Sequence, residues 1–245
     1  MAHDINFNTV TQKHSIFVTK IPAWHGLGQI MANNLRGEEA LIAAGLNYNV
    51  EKQPIFYGND PAHRQQVPDN FAVVRTDTGE ALGVVGHDYK CVQNSTMFEL
   101  MDLLLEADNG AHYETAGALG RGQRVWALAK IGGDIDVLGL GDKHLSYLLY
   151  SKGHIGNQAN LLKIVKTRVV CANTLAVATG EGGAEWRIKH TISADARLEM
   201  ARKVISNIMV TSKSLETKLN TLARKMMTKE AVGVSLDKLL PASSK

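Results

Sequence analysis

Apolar and polar positions alternate most clearly in the middle of the chain, where Phe71 to Arg75 and Ala81 to Val85 flank Thr76 to Glu80. Two such runs around a short turn containing Gly79 predict an antiparallel hairpin. Tyr89 to Val92 continues as a strand edge. A helix capped by Asn94 or Ser95 then runs to about Ala107, with Phe98, Met101, Leu104 and Leu105 on one face. His112 to Leu119 and Arg124 to Ile131 form a second hairpin around Gly120 to Gln123. Further on, Leu145, Tyr147 and Leu149 alternate against Ser146, Leu148 and Tyr150 in a strand from His144 to Ser151, and a turn over Lys152 to Asn157 leads into a return strand, Asn160 to Val165. A helix over Thr167 to Thr179, packed through Val170, Leu175 and Ala178, and a short strand from Trp186 to His190 complete this part.

Upstream, the first thirty residues read as an extended arm ending at Trp24 to Gly28, with Trp24 plugged onto the core. A short helix from Gly37 to Ala44, closed by Gly45, precedes a strand from Tyr48 to Tyr57 and a loop from Gly58 to Asn70. The expected fold is α+β, an antiparallel sheet of hairpin–helix–hairpin units with the helices on one face. Beyond Ser193, apolar residues from Leu198 to Met226 recur at three- and four-residue spacings. This predicts a long amphipathic helix to about Lys229, on the order of 50 Å, which is too long for one small domain to cover. The chain thus divides into a core, 1–192, and a helix with tail, 193–245, through which it self-associates.

Composition narrows the class. A 44% hydrophobic and 21% charged chain of 245 residues can bury a core. No apolar run reaches the roughly 20 residues of a membrane span, and the N-terminus lacks a signal-peptide apolar region. Cys91 and Cys171 stand far apart, as reduced structural thiols do, so the expected compartment is the host cytoplasm, with no membrane partner. The net charge of +3 hides an asymmetry: residues 1–109 carry seven Lys and Arg against thirteen Asp and Glu, residues 110–192 ten against six, and residues 193–245 ten against five. The basic half is the one expected to face an anion.

Gly120 to Arg124 holds two glycines around an arginine, but it lies between two strands and no Lys-Ser/Thr follows, so neither a P-loop nor a Rossmann turn fits. It is a turn presenting Arg121 and Arg124. Trp126 shares a strand face with Arg124, which suits either base stacking or the core. Lys152, Lys163, Lys166, Arg168, Arg187 and Lys189 add basic positions on nearby strands and turns, and Tyr150 is a second stacking candidate. Together they can line a groove that tracks a nucleic-acid backbone. His25, His87, His154 and His190 show no metal-ligand spacing, and no serine stands in a nucleophile elbow. His87 and Asp88 point apart on a strand. Asp134 and Asp136, open to Mg²⁺ by spacing, read better as turn carboxylates. No catalytic residue, metal or cofactor is expected.

Several blocks carry a resemblance: Trp24 to Gly28, Leu82 to Lys90 with Gln93 and Asn94, Ala116 to Trp126, Thr167 to Thr174, and Arg187 to Thr191. In this order they resemble the phage/plasmid-like proteins of domain-of-unknown-function class 932. The resemblance implies a mobile-element setting and no particular reaction. The hairpin–helix–hairpin order, basic turns and oligomer-prone helix are also similar in layout to phage single-strand annealing recombinases, an analogy of fold that carries over no residue. The expected function is binding of single-stranded DNA or RNA by an oligomer, in annealing or recombination. The alternative is a non-enzymatic interaction protein that inhibits a host defence factor.

Overall fold

The computed structural model describes residues 3–106, 110–136, 143–156, 158–188, 203–204, 214 and 217–224. Strand parity builds the fold. Strand β9 (Arg124–Asp136) sends Val125, Ala127, Ala129 and Ile131 into one apolar cluster and Trp126 and Leu128 into another. Its neighbour β10 (Lys143–Gly153) divides the same way, with Leu148 and Tyr150 in the first and Tyr147 and Leu149 in the second. Successive side chains point to opposite faces of a strand, so both faces of this sheet are covered. The sheet has seven strands in the order β12 (Glu185–Ile188), β11 (Asn160–Val165), β10, β9, β8 (His112–Leu119), β3 (Ile16–Thr19) and β4 (Gln29–Met31). All neighbours are antiparallel except β3 and β4, which are parallel.

On the first face lie α1 (Gly37–Ala43), α2 (Asn94–Leu105) and a three-stranded sheet of β5 (Val50–Tyr57), β6 (Gln65–Arg75) and β7 (Ala81–Gly86). On the second face α3 (Ala172–Gly180) packs through Leu175 and Ala178. The α+β class holds, but the helices are not confined to one face. A single helical layer would leave Trp126, Leu128 and Leu149 in water, forfeiting roughly 1.5–3 kcal/mol for each.

Three further expectations change. The N-terminal segment is no arm: Ile16, Phe17 and Val18 are buried in β3 within the large sheet, because an apolar triplet with both parities filled fits only a strand covered on both sides. Trp24 does not plug the core but stands 67% exposed. The supposed loop from Gly58 to Asn70 is partly strand, since β6 runs through Pro68, where its pairing with β5 is irregular and β7 has ended. Strand β9 also continues past Gly132 and Gly133, so Asp134 and Asp136 sit on a strand. Most of the predicted C-terminal helix lies outside the described residues; within it, residues 217–223 are helical, and Val204 is buried in the first cluster. Among the described residues no helix is long and apolar enough to cross a membrane.

Candidate nucleic-acid interface

The candidate site grows from the turn between β8 and β9. Gly122 there has φ +103°, and a Cβ on it would stand 2.8 Å from both Arg75 Nη1 and Tyr48 Oη. Only glycine lets the turn approach so closely. Arg75, fully buried, donates from Nη1 to the Arg121 carbonyl at 2.8 Å and to Asn6 Oδ1 at 3.1 Å. Its Nε and Nη2 donate to both Asp77 oxygens, at 3.0 and 2.8 Å. Beside this turn lies the β10–β11 connection, tied on by the His154 N–H, which donates to the Gln123 carbonyl at 2.8 Å.

These ties place the arginines. Arg121 is exposed at the tip of the turn. Arg124 pairs with Leu119 on one side and Gly153 on the other, on the second face of the sheet. Its side chain is half-buried, and the guanidinium makes no hydrogen bond or ion pair among the described residues. Burial lowers its guanidinium below the ordinary arginine value, though an arginine stays charged at neutral pH. The adjacent row across the face runs Trp126, Ser151, Leu161, Arg187. Arg187 is exposed, with Nε 3.6 Å from Glu185 Oε1. A pocket of about 260 Å³ brings Arg124 and Arg187 together with Ser151, Gln158, Thr179 and Glu185. A second, of about 580 Å³, also borders Arg124 and is lined by Asp4, Gly120, Gln123 and Ile155.

The remaining predicted residues do not join them. Trp126 is fully buried, its Nε1 donating to Thr115 Oγ1 at 3.2 Å, and presents no face to a base. Tyr150 is equally enclosed in the first cluster. Lys152 lies on the face opposite Arg124 and is buried, donating to the Val92 carbonyl at 2.7 Å; burial holds its amine well below the usual lysine value. Lys163 is buried too, and its Nζ donates to the Thr179 carbonyl at 2.8 Å near the end of α3, where a cation suits the helix dipole. Arg168 is spent on Glu114 and on the Ile21 carbonyl, 2.8 Å away. Lys166 is exposed and donates to Ser146 Oγ at 2.6 Å. Lys189 lies outside the described residues. Among the described residues the predicted positions do not form a continuous basic groove. Three arginines at one end of the sheet remain.

Ser151 and Gln158, which line the smaller pocket, escaped the sequence reading. Parity was the available signal for Ser151, two residues on from Leu149 and so on its face. His87 and Asp88 form an exposed pair at 3.2 Å. Among the described residues no group of three or more His, Cys, Asp or Glu is placed to hold a metal ion.

The family model described as Domain of unknown function (DUF932) matches residues 81–245, two thirds of the chain. The match begins at β7, so the Trp24 to Gly28 block lies ahead of it. No curated protein matches, and no solved structure matches.

Proposed function

The chain belongs to the domain-of-unknown-function family DUF932, and from that starting point we propose that it binds single-stranded nucleic acid, in annealing or recombination on a mobile element, with Arg121, Arg124 and Arg187 as phosphate contacts. One observation carries this reading: Arg124 is a half-buried guanidinium that forms no hydrogen bond or ion pair among the described residues, although Glu185 and Asp4 line the two cavities it borders. Desolvating a charge without a partner is costly, and a phosphate from outside repays that cost with charge-assisted, bidentate hydrogen bonds. Lys189, two residues beyond Arg187, extends the set along the sequence. Self-association through the segment after Ser193 would repeat the site along a strand.

Three phosphate contacts on a single strand predict a slope of about −2 for log K against log salt. Fluorescence anisotropy of a labelled oligonucleotide, titrated at several salt concentrations, measures it. An affinity that does not change with salt, or no binding at low salt, overturns the reading.

A second reading has its own observation. The outer part of the β5–β6 hairpin exposes Phe56 and Tyr57, 53% and 55% accessible, a surface suited to a protein partner. It favours the interaction protein that blocks a host defence factor. Capture of one host protein that survives nuclease, and is lost in a Phe56→Ala/Tyr57→Ala variant, would support it over nucleic-acid binding.

A further inference from the structure

The smaller pocket has a shape and charge of its own. Its floor is the second face of the sheet, at Ser151; its walls are Arg124 and Gln158 on one side, Thr179 at the end of α3, and Glu185 and Arg187 on β12. The Glu185 carboxylate is already bracketed, 3.5 Å from Lys163 Nζ and 3.6 Å from Arg187 Nε. In the lining Arg124 and Arg187 outweigh Glu185 by one positive charge, since burial favours the neutral amine of Lys152. Lys163, paired with Glu185 from outside the lining, brings the local balance to two. A phosphodiester within a strand carries one negative charge. A phosphate monoester carries roughly −1.5 to −2 at neutral pH, with three acceptor oxygens.

The polar groups match such a ligand. The Ser151 hydroxyl makes no hydrogen bond among the described residues. Gln158 Oε1 is buried with no partner, and its carboxamide lies over Gly153, directly across the strand pair from Arg124. Rotating that amide by half a turn presents its NH2 group, and amide orientation follows the hydrogen-bond network. At about 260 Å³ the cavity is smaller than the roughly 300–1,000 Å³ of ordinary ligand sites. It suits a single phosphorylated unit, whereas a strand bound along its length occupies roughly 4–16 nucleotides.

We propose that the pocket between Arg124 and Arg187 binds one phosphate monoester, carried by a free nucleotide or by the end of a nucleic-acid strand, with Ser151 and Gln158 as further hydrogen-bond donors. This deepens the preceding proposal, because it rests on the same two arginines. It changes what they read: a terminus or a mononucleotide in place of a running backbone.

The test uses the full chain and three oligonucleotides of about twelve residues, a length within the range of one single-strand site. One carries a 5′-phosphate, one a 3′-phosphate and one neither. Adenosine monophosphate, adenosine and inorganic phosphate serve as competitors. One phosphorylated oligonucleotide is expected to bind about tenfold more tightly than the unphosphorylated one. Adenosine monophosphate should compete and adenosine should not. If the monophosphate competes fully but neither end-phosphate adds affinity, the ligand is the free nucleotide. Arg187→Ala, whose side chain is exposed and leaves the fold intact, should abolish both the end preference and the competition, and Arg124→Gln should do the same. Equal affinities for all three oligonucleotides with no competition by the monophosphate overturn this proposal, even where Arg124-dependent strand binding upholds the previous one. Loss of all oligonucleotide binding with Arg187-dependent binding of the monophosphate does the reverse.

Discussion

The Arg75 guanidinium carbon lies 3.8 Å from the centroid of the Tyr48 ring, and the two side chains together hold the turn that carries Arg121. Tyr48 Oη donates to the Gly122 carbonyl at 3.2 Å, while Arg75 donates to the Arg121 carbonyl. Replacing Arg75 with Met keeps much of the volume but takes a donor from Asp77, Asn6 and that carbonyl, leaving Asp77 with Asn8 and Asn6 with Ser15. Arg75 is fully buried while Asp77 reaches solvent, so the cost falls on the buried polar groups that lose a hydrogen bond. Arg75→Met should therefore lose about 2 kcal/mol of unfolding free energy, read as a lower urea midpoint. An unchanged midpoint would remove the clamp from the account.

The same pair sets an acid limb. Burial alone would raise the Asp77 carboxyl, but hydrogen bonds and charge from Arg75, with help from Asn8, outweigh it and hold the group below the ordinary carboxylate value. An acid depressed in the folded state binds fewer protons there than when unfolded. Its contribution is thus present above the unfolded value of about 3.9 and is lost as pH falls through the folded value. Thermal melts should show stability declining below about pH 4, and Asp77→Asn should flatten part of that decline. Identical acid limbs would contradict the assignment.

Lys152 predicts the opposite slope. Its buried amine sits beside Cys91, whose thiol burial pushes up, and it favours the neutral form. Between its lowered folded value and the unfolded value of about 10.4, the unfolded chain binds more protons, so stability rises with pH. Lys152→Met removes this contribution. The parent's melting temperature minus that of the variant should increase as pH rises from neutral to about 9. If that signed difference is constant or falls, the amine stays charged in the fold.

Gly117 and Trp126 give a packing test. A Cβ on Gly117 would lie 2.6 Å from Trp126 Cη2 and 2.7 Å from the Ser15 carbonyl oxygen. Neither a buried indole nor a strand backbone can yield cheaply. Gly117→Ala should cost about 2 kcal/mol by urea unfolding, with oligonucleotide affinity per folded molecule unchanged. A stable variant that binds poorly would place Trp126 in the interface after all.

Both central hairpins were legible because period-two alternation and glycine turns are local signals. The pairing of Phe71 with Val85 and of Leu119 with Arg124 follows from them. What parity could not disclose was a second covering layer, since α3 reaches the opposite face through contacts set by the whole chain. The site divides similarly. Arg121 and Arg187 are exposed and Arg124 half-buried, because turns and edge strands stay near solvent. Lys152 and Lys163 look the same as surface lysines in sequence. Their fate was decided by carbonyl acceptors at Val92 and Thr179, 60 and 16 residues away. Trp126 was hidden by a glycine on the neighbouring strand, a cross-strand fit that one sequence does not display.

The most direct measurement compares Arg124→Ala and Lys152→Met with the parent chain in one anisotropy titration against a single-stranded oligonucleotide at low salt, each variant first checked by its thermal melt. Arg124→Ala should bind about tenfold more weakly and Lys152→Met as tightly as the parent. Parent-like affinity for Arg124→Ala, or a loss confined to Lys152→Met, would contradict the account.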